Sequence, residues 1–354
     1  MRIGPIQLAA PFCQAGLAGY SDRAMRLVAR RRGCPYAVTE ALLDVIMLSG
    51  GHGLRKSIDI NDEDHPIAGQ VIGSEPDQMA RAAAILHEHG YDVIDLNFAC
   101  PVKKIKNRAR GGHMLKDVSR ALAILKAVRD ALPPDAPTTV SLRRGFDDSA
   151  ESVDDFHVIA QAAFDNGYAA IRVHGRSVEQ KYLGRSRWGF LKQVKSLYPE
   201  RTILGSGDVF TAQDAIRLLH ETGIDICWIA RGAIGNPWIF RHARMLLDAG
   251  WREGQPLPLA LRPPTIREQR DALREHFALA MEVHGEQLAG RRMRKMAMKY
   301  ARFHPSAAHV KADFIAVLSL RDWTGVLEKW YSTEGPGIWP EPTAADEVND
   351  DQEI

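Results

Sequence analysis

Short runs of apolar and β-branched residues alternate along most of this chain with stretches whose apolar positions recur every three or four residues. The strand-like runs begin near Ile6, Tyr36, Ile67, Asp92, Thr138, Ala169, Thr202 and Ile226, a spacing of roughly thirty residues that matches repeated βα units. Between two of them, Ser74 reads as the cap of a helix carrying Met79, Ala82, Ala83 and Leu86 on one face and ended by Gly90. Thr211 with Asp214 forms a capping-box start to another helix that stops at Gly223. Eight strands each followed by a helix, over about 240 residues, predict an α/β fold of the TIM (β/α)8 barrel type, since a doubly wound sheet rarely needs so many equal repeats.

The pattern changes after Trp238-Ile239-Phe240. A proline-bearing connector, Gln255 through Pro264, precedes a stretch from about Thr265 to Trp330 with helical periodicity and no strand-like run. The expected organisation is a barrel over residues 1–245 and a small all-helical C-terminal domain over 260–331. Residues 332–354, with Asp346, Glu347, Asp350 and Asp351, lack periodicity and read as a disordered acidic tail. Within the helical region Arg292, Lys295, Lys299 and Arg302 fall at i, i+3, i+7 and i+10, one positively charged face. Such a face is either ordinary solvated surface or a contact for a polyanion.

Composition narrows the classes. With 354 residues, 45% of them hydrophobic, the chain can bury a large core. A formal net charge of +2 is modest for a broad nucleic-acid footprint, so any such contact must come from local basic clusters. Cys13, Cys34, Cys100 and Cys227 lie far apart with no C-x-x-C pair, which suggests neither a zinc site nor a disulfide framework and fits a reducing compartment. The apolar stretches are too short to span a bilayer, and Met1-Arg2-Ile3-Gly4 opens no signal peptide. A cytoplasmic monomer with no metal and no membrane partner is expected.

The richest stretch is Leu96-Asn97-Phe98-Ala99-Cys100-Pro101-Val102-Lys103-Lys104. It sets a thiol just beyond a buried strand, next to a proline and the basic residues Lys103, Lys104, Lys106, Arg108 and Arg110, an arrangement suited to chemistry on an anionic ligand. The bland alternative is a buried structural cysteine. In a TIM barrel the chemistry gathers where strands end and loops begin. Those positions carry Gln70, Asn97, Ser141 with Arg143, His174-Gly175-Arg176, Gly205-Ser206-Gly207-Asp208 and Ala230-Arg231-Gly232. The last two turns suit a phosphate, because backbone N–H groups approach phosphate oxygens only where no Cβ intrudes. His174 taken alone is as well explained as a core histidine satisfied by backbone.

These residues carry a resemblance. The chain resembles the dihydrouridine synthase family, flavin enzymes that reduce uridines in transfer RNA, in Ala18-Gly19-Tyr20-Ser21-Asp22-Arg23, Thr39-Glu40, Gln70 and the Cys100 loop. The match continues in Val173-His174-Gly175-Arg176-Ser177, Gly205 to Asp208, Ile229 to Ala233 and Asn236-Pro237-Trp238-Ile239-Phe240. The resemblance implies a TIM barrel binding FMN, NADPH as reductant, tRNA as partner and a C-terminal RNA-binding domain. It implies hydride transfer from flavin N5 to uracil C6, with Cys100 as the acid that protonates C5. A thiol with a pKa of about 8.5 is mostly protonated at neutral pH and suits that task. Pro11, Phe12, Gln70, Ser141, Arg143, His174, Ser206, Gly207, Asp208, Ala230, Arg231 and Gly232 are the implied cofactor-binding set. Lys103, Lys104, Arg108 and the helical face of Arg292, Lys295, Lys299 and Arg302 are the expected RNA contacts.

Some positions depart from the family pattern. Ser141 stands where a lysine near flavin N1 and O2 is usual, and Arg143, on the same strand face, is expected to take over its electrostatic role. Ala99 and Ser206 replace a glycine and an asparagine, and Phe12-Cys13-Gln14-Ala15 looks like an insertion in the first flavin-binding loop. Two other readings stay open, a flavin reductase of a free pyrimidine and a non-catalytic RNA-binding homologue. The modified uridine, and ribosomal RNA in place of tRNA, also stay open.

Overall fold

A computed structural model describes residues 1–49, 58–101 and 110–341 of the chain. It opens with an antiparallel hairpin of β1 (Arg2–Ile3) and β2 (Ile6–Gln7). Ile3 and Leu8 pack with Val93, Ala170, Leu204 and Ile226, so the hairpin plugs the end of the barrel at which the strands begin. The run at Ile6 is therefore not the first barrel strand. That place belongs to β3 (Phe12–Gln14), hydrogen-bonded in parallel to the last strand through the pairs Phe12 with Cys227 and Cys13 with Trp228. Phe12–Gln14 is thus barrel wall and not a loop insertion.

The further strands are β4 (Ala37–Val38), β5 (Leu42–Leu43), β6 (Ile67–Ile72), β7 (Val93–Phe98), β8 (Thr138–Arg143), β9 (Ala170–His174), β10 (Thr202–Ser206) and β11 (Ile226–Ile229). Parallel pairing runs from β3 through β4, β6, β7, β8, β9 and β10 to β11 and back to β3, closing a TIM barrel, while β5 adds a short edge to β6. Helices α1 (Arg23–Arg30), α2 (Asp44–Ser49), α3 (Pro76–Glu88), α4 (Val118–Ala131), α5 (Ala150–Asp165), α6 (Trp188–Leu197), α7 (Ala212–Thr222) and α8 (Ile239–Asp248) wrap it. The capping box of Thr211 and Asp214 is present, and Gly223 ends α7 at a φ of 71°. Ser74 is not the cap of α3, which starts instead from Glu75 with Pro76 in its first turn, where a missing N–H costs nothing.

Strand alternation divides the core in two. Outward residues such as Phe12, Ile94, Leu96, Val140 and Ile171 pack under the helices, while inward ones such as Cys13, Ala68, Val93, Ala170 and Leu204 fill the lower barrel. The inward series then turns polar towards the strand ends, and this polar layer positions the site.

The C-terminal region is helical: α9 (Ile266–His284), α10 (Glu286–Tyr300), α11 (Ala307–Ala316) and α12 (Leu320–Tyr331). It docks on α1, where Glu275 meets Arg31 at 2.8 Å and Arg32 at 2.6 Å and His284 Nε2 meets Asp22 at 2.7 Å. Trp238 at the start of α8 packs edge-on against Tyr300 and Phe303, and the clustered aromatic area anchors the contact. The stretch from Ser332 does not part from the fold there. Gly335 accepts the N–H of Ile266 and Ile338 donates to Phe303 O, so residues up to 341 form a strap over the helices. The acidic residues Asp346, Glu347, Asp350 and Asp351 lie outside the described residues.

Candidate active site

At the C-terminal rim of the barrel a single cavity is lined by Gln70, Asn97, Cys100, Arg143, His174, Ser206, Gly207, Asp208, Ala230 and Arg231, all singled out by the sequence. Ala15, Ala18 and Tyr20, which carried part of the resemblance or its departures, share it, and so do Gly16, Leu17, Arg172, Tyr182 and Trp228, which the sequence did not single out. The rule that paired Arg143 with Ser141 also holds for Arg172, two residues before His174 on β9, and for Trp228, inward on β11. Four of the implied cofactor residues lie elsewhere. Phe12 packs outward under the helices and Pro11 precedes it, its carbonyl accepting the N–H of Cys227. Ser141 is fully buried beneath the cavity, and Gly232 packs against Val209, whose carbonyl a Cβ would strike.

A hydrogen-bonded polar layer crosses four strands below the cavity. Asp95 accepts from Thr139 Oγ1 at 2.6 Å, from Gln70 Nε2 at 2.7 Å and from Ser141 Oγ at 2.9 Å. Arg172 Nε donates to Ser141 Oγ at 2.9 Å, and its guanidinium lies over the Trp228 ring, 4.6 Å from the centroid. Parallel register explains the meeting, since Gln70 lies opposite Asp95 and Ser141 opposite Arg172. Burial pushes the Asp95 carboxyl up, partly offset by these donors and by Arg172.

One layer higher, Asn97 Nδ2 donates to Gln70 Oε1 at 2.7 Å, and Asn97 Oδ1 accepts the N–H groups of Ala99 and Cys100. The loop after β7 thereby turns Cys100 onto the cavity wall. Arg143 donates from Nε to Ala99 O at 2.8 Å and from Nη1 to Ser177 O and Lys181 O at 2.8 and 2.7 Å. It clamps two loops together, and burial lowers it to about 10, still charged at neutral pH. His174 Nδ1 accepts the N–H of Arg176 at 3.1 Å, which leaves its proton on Nε2. Burial, reinforced by Arg143, Arg172, Arg176 and Arg231, pushes His174 well below the usual imidazole range, so it is neutral.

Asp208 gathers the far wall, meeting Arg176 at 2.6 Å and Arg231 at 3.3 Å and accepting the N–H of Ser186 at 2.6 Å. Gly207 adopts a φ of 120°, and its carbonyl accepts the N–H of Trp188 Nε1 at 2.9 Å. A Cβ there would collide with Ser186 Oγ, so only glycine permits this close turn. Three arginines in the lining, Arg143, Arg172 and Arg231, against the single carboxylate of Asp208 make the cavity a cationic one.

The basic helical face abuts this rim. Lys295 Nζ sits 3.6 Å from the centroid of Tyr20, a cavity residue, and Arg292 reaches Asp22 at 3.4 Å. Arg302 donates to Lys299 O at 3.2 Å and to Ile234 O at 3.4 Å, and Lys299 lies where Gly235 passes close to α10. The loop residues Lys103, Lys104 and Arg108 fall outside the described residues. Among the described residues no cluster of metal-ligating side chains occurs and no helix is long and apolar enough to cross a membrane.

The fold is similar to a solved 2-naphthoyl-CoA reductase complex, with a TM-score of 0.55 and 13% identity over 71% of this chain and 51% of that one. Sequence likeness is more specific. A protein of Xanthomonas campestris described as tRNA-dihydrouridine synthase B is 33% identical over 90% of this chain and 91% of its own. Its counterpart in Xanthomonas axonopodis is 34% identical over 90% and 91% of the two chains, and that of Pseudomonas aeruginosa 32% over 89% and 90%. The family profile described as Dihydrouridine synthase (Dus) matches residues 13–328, which takes in the barrel, the Cys100 loop and the helical region: this chain belongs to the dihydrouridine synthase family of oxidoreductases.

Proposed function

We propose that this protein reduces uridines of tRNA to 5,6-dihydrouridine, using bound FMN with NADPH as reductant. The observation that carries the reading is the sharing of one cavity by Cys100, His174 and the Gly207 turn, with the basic face of α10 at its rim. The cavity suits FMN. Ser186 Oγ, packed against the Gly207 turn, is buried without a hydrogen-bond partner among the described residues, and Arg176 and Arg231 supply positive charge.

When bound, FMN supplies the hydride and takes one from the nicotinamide. Cys100 provides the proton, from Sγ to C5 of a uracil whose C6 has received the hydride, and so completes the saturated C5–C6 bond. Neutral His174, with its proton on Nε2, donates a hydrogen bond without adding charge. Arg143 fixes Ala99, next to Cys100, against the Ser177 loop. The uridine must leave its stack to reach the cavity, and Arg292, Lys295, Lys299 and Arg302 stand where phosphates of the flanking nucleotides would pass. The helical region thus serves as the RNA-docking unit beside a catalytic barrel. A reductase of a free pyrimidine would have no use for that face.

The test is mass-spectrometric mapping of dihydrouridine in tRNA and rRNA from cells with and without the gene, together with the absorbance of the purified protein. Loss of a tRNA dihydrouridine and a flavin band near 450 nm, about where oxidised flavin absorbs, support the reading. A colourless protein and an unchanged map overturn it.

A further inference from the structure

We propose that Arg172 is the cation that binds the pyrimidine edge of the isoalloxazine and favours its reduced form, an inference that rests on the FMN reading above. Arg172 is inward on β9, one layer beneath His174, and lines the cavity floor with Trp228. Its Nε is committed to Ser141 Oγ and its plane to the Trp228 ring, which together hold the guanidinium in one orientation. Among the described residues its two terminal nitrogens donate to no protein atom.

The other arginines in or behind the cavity wall are spoken for. Arg143 gives N–H groups to three backbone carbonyls, and Arg176 and Arg231 both pair with Asp208. The carboxylate nearest Arg172 in this layer, Asp95, already accepts from Thr139, Gln70 and Ser141. Arg172 is therefore a half-buried guanidinium without an ion pair among the described residues, and desolvation lowers its pKa. A charge held that way is costly unless a ligand completes it. Uptake of a hydride leaves the flavin ring one unit more negative, with the charge spread over N1 and O2, and two parallel N–H donors on a permanent cation match that edge. Arg143, in contrast, is engaged in clamping loops.

The experiment titrates the apoprotein with FMN and measures the midpoint potential of the bound flavin in the wild type, Arg172→Met and Arg172→Gln. The second variant keeps a donor for Ser141 and serves where the first fails to fold. Removing the cation should weaken reduced flavin relative to oxidised flavin about tenfold, a potential lower by about 30 mV for a two-electron couple. Because Ser141 lies opposite Arg172 on the neighbouring strand, the double change Ser141→Lys with Arg172→Thr returns a cation to the same level and should restore the potential. A wild-type potential in a folded, flavin-bound Arg172 variant overturns the proposal while leaving the FMN reading intact. A wild-type apoprotein that does not bind FMN overturns both.

Discussion

Asn97 holds Cys100 in place: its Oδ1 accepts the N–H of Cys100 at 2.9 Å and that of Ala99 at 3.0 Å, while its Nδ2 is tied to Gln70. The backbone of Cys100 is thereby tied to the end of β7, and its carbonyl accepts the N–H of Gly112. Cys100→Ala should keep FMN and its reduction by NADPH but abolish dihydrouridine formation, since only the proton donor is lost. Asn97→Ala should slow turnover on tRNA by about 10- to 100-fold through misplacement of the thiol. Single-turnover assays with prereduced protein separate the two steps, and near-normal product from Cys100→Ala would remove the cysteine from the mechanism.

Lys295→Gln with Lys299→Gln tests the basic face of α10. Two lost phosphate contacts should flatten the slope of log affinity for tRNA against log salt by about two units, and NADPH oxidation without RNA should stay unchanged. Binding measured at four or five salt concentrations gives the slope directly. An unaltered slope returns the face to ordinary solvated surface.

Gly207→Ala tests the phosphate turn. At a φ of 120° an alanine is strained, and its methyl group meets Ser186 Oγ, so the turn must open. Strain of this kind costs about 1–3 kcal/mol. FMN affinity should fall at least tenfold, by roughly the lower end of that strain. Flavin fluorescence titration reads this, with thermal unfolding as the control for overall stability.

Acid should destabilise the fold through its buried histidines. Burial lowers His276 and His242 to about 4 and holds His174 well below its ordinary value. In the unfolded chain these rings bind protons near pH 6.5, so below that pH the unfolded state takes up more protons than the native one. The contribution is complete above about pH 6.5 and is lost as pH falls towards 4, on the order of 3 kcal/mol each for His276 and His242. Urea midpoints at pH 7.5, 6 and 5 should fall in that order. His276→Gln, which can keep the bond to Tyr300 seen at 3.2 Å, should flatten the decline. A slope that is the same in this variant would assign the acid sensitivity to other groups.

The local signals that proved legible are those in which the physics is itself local. The capping box of Thr211 and Asp214, the positive φ of Gly223 and the inward alternation that put Arg143 and His174 on the cavity side depend on neighbours a few residues away. The run at Ile6 misled for the same reason. As a pattern it is a strand, and only the packing of Ile3 and Leu8 into the barrel floor shows that it forms a plug, with Phe12–Gln14 taking the barrel position. The tail was misjudged at its start because two backbone hydrogen bonds, to Ile266 and Phe303, hold a segment that carries no periodicity of its own.

By itself the sequence determined the number and spacing of the βα units, the loop that carries Cys100, the two glycine turns and the basic stripe on α10, because periodicity and turn chemistry are written in consecutive residues. Which inward side chains meet across the barrel was decided by tertiary structure alone. Strand register sets Ser141 opposite Arg172, so the cation beside that serine comes from β9 rather than from Arg143 on its own strand. Closure of the barrel and docking of α9 on α1 bring Tyr20 to Lys295 and Asp22 to His284, contacts across more than 260 residues in the second case. No pattern along the chain encodes such pairs, because their partners are chosen by the burial of whole strand and helix faces against one another.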